Sequence, residues 1–239
     1  MTTVSVPDLA ERIKRLFDAG AEADRTKARA AFTQLRNELS AGRVRAAEPD
    51  PSSPTGWRVN AWIKKGILIG FHAGEIVTYP SASENAPYLD KDTLPLKPLN
   101  TRSRVRVVPG GSSIRDGAYI GAGVICMPPM YVNIGAYVGD ETLIDSHALV
   151  GSCAQIGRRV HVSAGAQIGG VLEPVGALPV IVEDEVLIGG NTGLYEGAVI
   201  RRRAVIGAGT VLTGSTPVYD LPKRQIIRPD RGAPTVIPE

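Results

Sequence analysis

Three short stretches of this chain present groups that can do chemistry. Asp145-Ser146-His147 sets a carboxylate and an imidazole two residues apart, a base and a proton carrier on one turn. Arg201-Arg202-Arg203 is a compact basic turn, and guanidinium groups offer paired donors to a phosphate. Gly169-Gly170 and Gly189-Gly190 have no Cβ and would leave backbone N–H groups open to a ligand. Each has a plainer reading: the arginines as solvent-facing charge, the histidine as a surface residue. Asp145 stands apart, because it follows an aliphatic residue where glycine is the habit of its neighbours. Cys126 and Cys153 lack the company expected of a metal site or a nucleophile, and no metal is expected. They read as small buried hydrophobes in a reducing compartment.

The elements that must position these groups follow from a period. Across 132–212 an aliphatic residue recurs every sixth position: Val132, Val138, Ile144, Val150, Ile156, Val162 and Ile168. After an interruption the beat resumes at Val182, Ile188, Leu194, Ile200, Ile206 and Leu212, and it reaches back through Ile120 and Ile114. Small or β-branched residues sit four positions after nearly every one, as at Ala136, Thr142, Ala148, Ala166 and Ala198. This spacing predicts a parallel β-helix of hexapeptides, each hexad a short strand and a corner. Glycine after the aliphatic, as at Gly151, Gly157 and Gly189, is expected to supply the backbone conformation of the corner. A β-sandwich would show period two and hairpin turns instead.

The interruption at 169–179 is expected to leave the solenoid as a loop on a binding face. Before the repeat, a helix capped by Asp8 carries Leu9, Ile13, Leu16 and Phe17 to Gly20, and a second covers 24–40. Residues 44–47 suggest a short strand, and 48–54 a loop too rich in proline to join a ladder. Residues 61–71 form an amphipathic helix with Trp62, Ile63, Ile67, Leu68 and Phe71 inward and Lys64 and Lys65 solvated. Residues 79–100, with Pro80, Pro87, Pro95 and Pro98, are a connector wrapping a surface. The tail, with Pro217, Pro222, Pro229, Pro234 and Pro238, reads as extended and partly mobile. The expected division is 1–103 as a mostly helical N-terminal domain, 104–216 as the β-helix and 217–239 as the tail. Aromatics are only 5% of the chain, which suits a narrow prism. A net charge of +3 gives no field arguing for nucleic acid. No apolar run reaches membrane-spanning length and no signal peptide is evident, so a cytoplasmic location is expected.

Five stretches are more specific than a generic hexapeptide pattern: Trp62-Ile63-Lys64-Lys65, Arg106-Val107-Val108-Pro109, Tyr131-Val132-Asn133-Ile134-Gly135-Ala136-Tyr137, Val150-Gly151-Ser152-Cys153-Ala154-Gln155-Ile156-Gly157 and Ile168-Gly169-Gly170-Val171-Leu172-Glu173-Pro174. Together they closely resemble the tetrahydrodipicolinate N-succinyltransferases, lysine-pathway members of the hexapeptide-repeat acyltransferases. The resemblance runs from the N-terminal helices to about Tyr219-Asp220. It implies a mainly β fold, a left-handed parallel β-helix preceded by a small, mostly helical N-terminal domain. It implies a homotrimer with active sites between subunits. It also implies an acyl-CoA co-substrate, succinyl-CoA or acetyl-CoA, and a small-molecule amine acceptor, with no tightly bound cofactor.

By the same resemblance Arg106 binds the acceptor's carboxylate, Asp145 contacts the acceptor and is the general base, and Glu173 belongs to the substrate-binding set. Ser163, Gly169, Gly170, Gly189, Gly190, Arg201 and Ala208 are implied along the CoA arm. The chain departs from the family in three places. Gly193 stands where the family pairs its aspartate with a glutamate, and His147 where a tryptophan is usual, so His147 becomes a second candidate base. The family's final strand and helix, which help close over the CoA arm, have no counterpart before Glu239. The expected activity is succinyl transfer to tetrahydrodipicolinate by direct attack of an amine on a thioester. The alternatives are acetyl transfer to a related amino acid in a specialised, tabtoxin-type pathway, or a trimeric homologue without catalysis.

Overall fold

In a computed structural model the described residues are 5–80, 88–227 and 234–239. Pro87 of the connector and Pro229 of the tail lie outside them. The hexads form a parallel β-solenoid of two-residue strands stacked into three six-stranded sheets. The first face carries Tyr119–Ile120, Tyr137–Val138, Gln155–Ile156, Ile181–Val182, Val199–Ile200 and Val236–Ile237. The second carries Arg106–Val107, Ile125–Cys126, Leu143–Ile144, His161–Val162, Leu187–Ile188 and Val205–Ile206. The third carries Ser113–Ile114, Tyr131–Val132, Leu149–Val150, Gln167–Ile168, Gly193–Leu194 and Val211–Leu212. One coil is therefore three hexads, and register pairs residues eighteen apart until the insertion intervenes. The sixth-position aliphatics fill the prism, with Cys126 taking one of their places, fully buried.

Glycine after the aliphatic serves a purpose other than the expected one. Gly151, Gly157 and Gly189 are not among the positive-φ residues. A Cβ at Gly189 would instead lie 2.4 Å from the Ala208 N of the next coil, and one at Gly151 would lie 2.2 Å from Gly170 N. Close stacking of coils demands these glycines. The left-handed position comes two residues later, and Glu141, His147, Cys153, Arg159 and Asn191 occupy it.

Three helices, α1 (Val6–Asp18), α2 (Arg25–Ser40) and α3 (Ala61–Ala73), pack against one edge of the prism. Their core of Leu9, Ile13, Phe32, Leu35, Ile63 and Ile67 takes in Ile134 and Cys153 from the solenoid. Gly66 and Gly70 let α3 approach α2, since a Cβ there would fall 2.3 Å from Leu35 and from Phe32. Ser5, not Asp8, caps α1, its Oγ accepting from the Asp8 N–H. The early strand is Ala47–Pro49, paired with Trp57–Val59, so Pro49 does join a ladder at its end. The connector contains a hairpin, Ile76–Tyr79 with Tyr88–Lys91, and buries Leu94, so it contributes to a core. The tail is more ordered than expected: Val218–Asp220 pairs with Gln225–Ile227, and Val236–Ile237 returns to extend the first face.

Candidate active site

The edge between the second and third faces gathers most of the singled-out residues. Asp145 leaves the second face just after the inward Ile144, and Ser163 and Gly189 hold the same place on successive coils. Gly190 and Ala208 follow one position further along, as Gly209 donating to the Gly190 carbonyl shows. Asp145 is half-buried, and its Oδ1 accepts the Ser146 N–H at 2.7 Å, while Oδ2 accepts no hydrogen bond among the described residues. Arg106 lies on the second face two coils below, exposed and without an ion pair among the described residues. His147 shares the Asp145 turn but sits in the left-handed region at φ 61, exposed, with its N–H given to Pro129 O.

The carboxylate's near neighbour is a different histidine. His161 stands outward on the second face, directly above Leu143, with Nε2 3.9 Å from Asp145 Oδ2. Sequence reading missed it because it counted hexads. Counting whole coils of eighteen would have placed His161 over Leu143 and next to the turn that carries Asp145.

The remaining residues lie on other edges. Gly169, Gly170 and exposed Glu173 belong to the edge between the third and first faces, where residues 169–179 leave the solenoid. Arg201 sits on the edge between the first and second faces. Its Nη1 donates to Glu183 at 2.6 Å and its Nη2 to Thr55 O at 2.8 Å. Arg202 and Arg203 both donate to Glu185, so the basic turn is met by an acidic one. Three guanidinium groups, Arg159 first, hold the Glu185 carboxyl down at about 2. The glycine pairs are less open than expected: Gly169 N–H is spent on Leu194 O and Gly189 N–H on Ile206 O. Among the described residues only the N–H groups of Gly170 and Gly190 in these pairs have no protein acceptor. Both cysteines are sealed, and burial pushes each thiol up to about 12, which removes a thiolate nucleophile from consideration.

Lys64, expected in solvent, is fully buried in α3 and donates to Ala177 O at 2.5 Å. Burial lowers its pKa. It ties the helical domain to the loop that carries Glu173. Gly193, on the third face, is covered by Tyr195, whose ring fills the space a side chain would take.

Residues 8–73 match the family described as tetrahydrodipicolinate N-succinyltransferase N-terminal, and residues 179–214 match the hexapeptide repeat of succinyl-transferase. A 2,3,4,5-tetrahydropyridine-2,6-dicarboxylate N-succinyltransferase of Bradyrhizobium diazoefficiens is 38% identical over 224 residues, covering 91% of this chain and 78% of that protein. Its counterpart in Nitrobacter winogradskyi is 40% identical over 202 residues, covering 83% and 70%. That of Rhodopseudomonas palustris is 40% identical over 221 residues, covering 89% and 76%.

Proposed function

The chain belongs to the tetrahydrodipicolinate N-succinyltransferase family, and we propose that it moves the succinyl group of succinyl-CoA onto the ring nitrogen of a tetrahydropyridine dicarboxylate. The observation that best supports this reading is the placement of Arg106 and Asp145. Arg106 lies on the second face and Asp145 at the edge where that face ends, two coils apart, roughly 10 Å along the axis at about 4.8 Å per coil. An arginine side chain reaching up that face spans the gap to a small dicarboxylate held at Asp145. Its guanidinium takes a carboxylate in bidentate fashion. The ring nitrogen of a tetrahydropyridine is an imine, so water adds across C=N before an N–H nucleophile exists.

Asp145 Oδ2 then accepts the proton of that nitrogen as its lone pair attacks the thioester carbonyl carbon. The tetrahedral oxyanion collapses, the C–S bond breaks, and the departing sulfur of CoA takes up a proton. Backbone N–H groups left without acceptors, such as that of Gly190, are suited to the oxyanion. No enzyme thiol takes part.

The residues assigned to acceptor and CoA lie on three different edges of one prism. Packing copies side by side brings an edge of one against an edge of another, so the reading includes a closed homotrimer with its sites between subunits. Glu173 and Gly170 would face the acceptor and CoA from a neighbouring copy. Reduced cysteines and a biosynthetic acceptor fit a cytoplasmic enzyme. The relatives' names do not favour the acetyl alternative.

The test follows thiol release from succinyl-CoA and acetyl-CoA offered separately against 2-aminopimelate, an open-chain amine with the same two carboxylates. Preference for succinyl-CoA is the expected result. Preference for acetyl-CoA would overturn the donor assignment, and silence with both donors would overturn the activity.

A further inference from the structure

We propose that His161 is the positioning residue for Asp145, donating its Nε2–H to the carboxylate oxygen that accepts the substrate's proton. The inference rests on Asp145 being the base. Its physical ground is an unfinished interaction. His161 Nε2 is buried and has no hydrogen-bond partner among the described residues, although the side chain as a whole is 42% exposed. A buried polar nitrogen without a partner is costly, and a group that can satisfy it, the Asp145 Oδ2 carboxylate oxygen, already lies 3.9 Å away. That separation is too long for a hydrogen bond. Sites without substrate commonly hold such pairs long, and they tighten when substrate is bound.

Among the described residues, Asp145 is the carboxylate within 4 Å of this nitrogen. The two coils flanking His161 on its face offer Leu143 below and Leu187 above, neither of which can bond it. Asp145 Oδ1 is already taken by the Ser146 N–H, so the carboxylate has one oxygen to align and one ring nitrogen to align it. A closure of about 1 Å brings the pair to hydrogen-bond length. Nε2–H then fixes the rotation of the carboxyl about its last bond and aims the remaining lone pair of Oδ2 at the substrate nitrogen. His147, in the same turn as Asp145, has no such contact.

The experiment compares kcat and KM for wild type, His161→Phe and His161→Gln, and adds an unfolding cycle that needs no turnover. His161→Phe fills the site but removes the donor, and kcat is expected to fall about tenfold with KM for the acceptor within about twofold. His161→Gln places an amide N–H near the position of Nε2, and kcat is expected to return to within about threefold of wild type. A rise in KM with unchanged kcat, or equal losses in both variants, would overturn the assignment. In urea unfolding with 2-aminopimelate at saturating concentration, His161→Phe and Asp145→Asn are expected to be non-additive by about two- to fivefold in the unfolding constant, and closer to additive without it, as for a partly exposed contact that the acceptor tightens. Strict additivity with the acceptor present would overturn it even for a protein with no measurable turnover. Silence of the wild type with a non-additive cycle would refute the proposed activity and leave the contact standing.

Discussion

Restoring a glutamate at position 193 tests how this chain accommodates its departure from the family pattern. A Cβ at Gly193 would lie 2.5 Å from Tyr195 Cε2 and 2.9 Å from Cζ and Oη, so Gly193→Glu must displace the ring. The ring is half-buried, which corresponds to about 80 Å² of apolar surface and about 2 kcal/mol at ~25 cal/mol per Å². Glycine in a strand costs about 0.5–1 kcal/mol, which the substitution recovers. The φ at Gly193 is not positive, so the backbone itself accepts a side chain. Gly193→Glu alone is therefore expected to lose about 1–1.5 kcal/mol. In a Tyr195→Ala background the same change is expected to be neutral or to gain up to about 1 kcal/mol, a coupling near 2 kcal/mol. Urea denaturation at one fixed protein concentration measures both, since an assembled protein would otherwise change stability with dilution. Equal effects in the two backgrounds would show that the ring does not fill the glutamate's space, and the account of Gly193 would fail.

The other predictions concern single groups. Arg106→Lys keeps the charge and loses the fork, so KM for the acceptor should rise about tenfold with kcat little changed, and an unaltered KM would remove Arg106 from the acceptor site. His147→Gly relieves a left-handed backbone, so the midpoint of thermal unfolding should correspond to a gain of about 1 kcal/mol. Turnover of that variant should stay within about twofold of wild type if Asp145 alone is the base, and a larger loss would assign His147 a part in the reaction. Arg29 first, and then the Glu75 N–H, hold the Asp92 carboxyl down at about 2. An unfolded Asp92 titrates near 3.8, so between those values only the unfolded chain binds the proton. Stability from this group is complete above about pH 4 and is lost as pH falls towards 2. Asp92→Asn should flatten that part of an acid-denaturation curve, and an unchanged curve would refute the pairing.

What the sequence made legible was set by how locally each feature is encoded. The six-residue beat specified the solenoid because each hexad repeats the same local problem, an aliphatic inward and a tight corner after it. Asp145 was visible as a break in that beat, and it does stand on an edge of the prism with one oxygen free. His161 carried no such mark, since an outward strand position tolerates nearly any residue, and its meaning arises only when coils stack. The tail's return to the first face was hidden for the same reason: Val236–Ile237 is a single hexad-like pair that follows the last regular hexad, Val211–Leu212, only after the Val218–Asp220 and Gln225–Ile227 hairpin has broken the beat.

Lys64 shows the limit most sharply. A 3.6-residue period assigns a helix one buried face, and two consecutive lysines then read as the other. The rule assumes that a helix has one packing partner. α3 has three: the helices α1 and α2, the solenoid edge at Ile134 and Cys153, and the loop that carries Ala177. With cover on so many sides, Ile63, Lys64, Gly66 to Gly70 and Ala73 are all buried, and no polar stripe remains for both lysines. Lys65 stays near the surface beside Asp18 and over the Phe17 ring. Lys64 is left inside, where its amine has the Ala177 carbonyl as an acceptor. That acceptor lies in the segment where the repeat fails, so the same interruption that hides the contact from any periodic reading is what makes the contact possible.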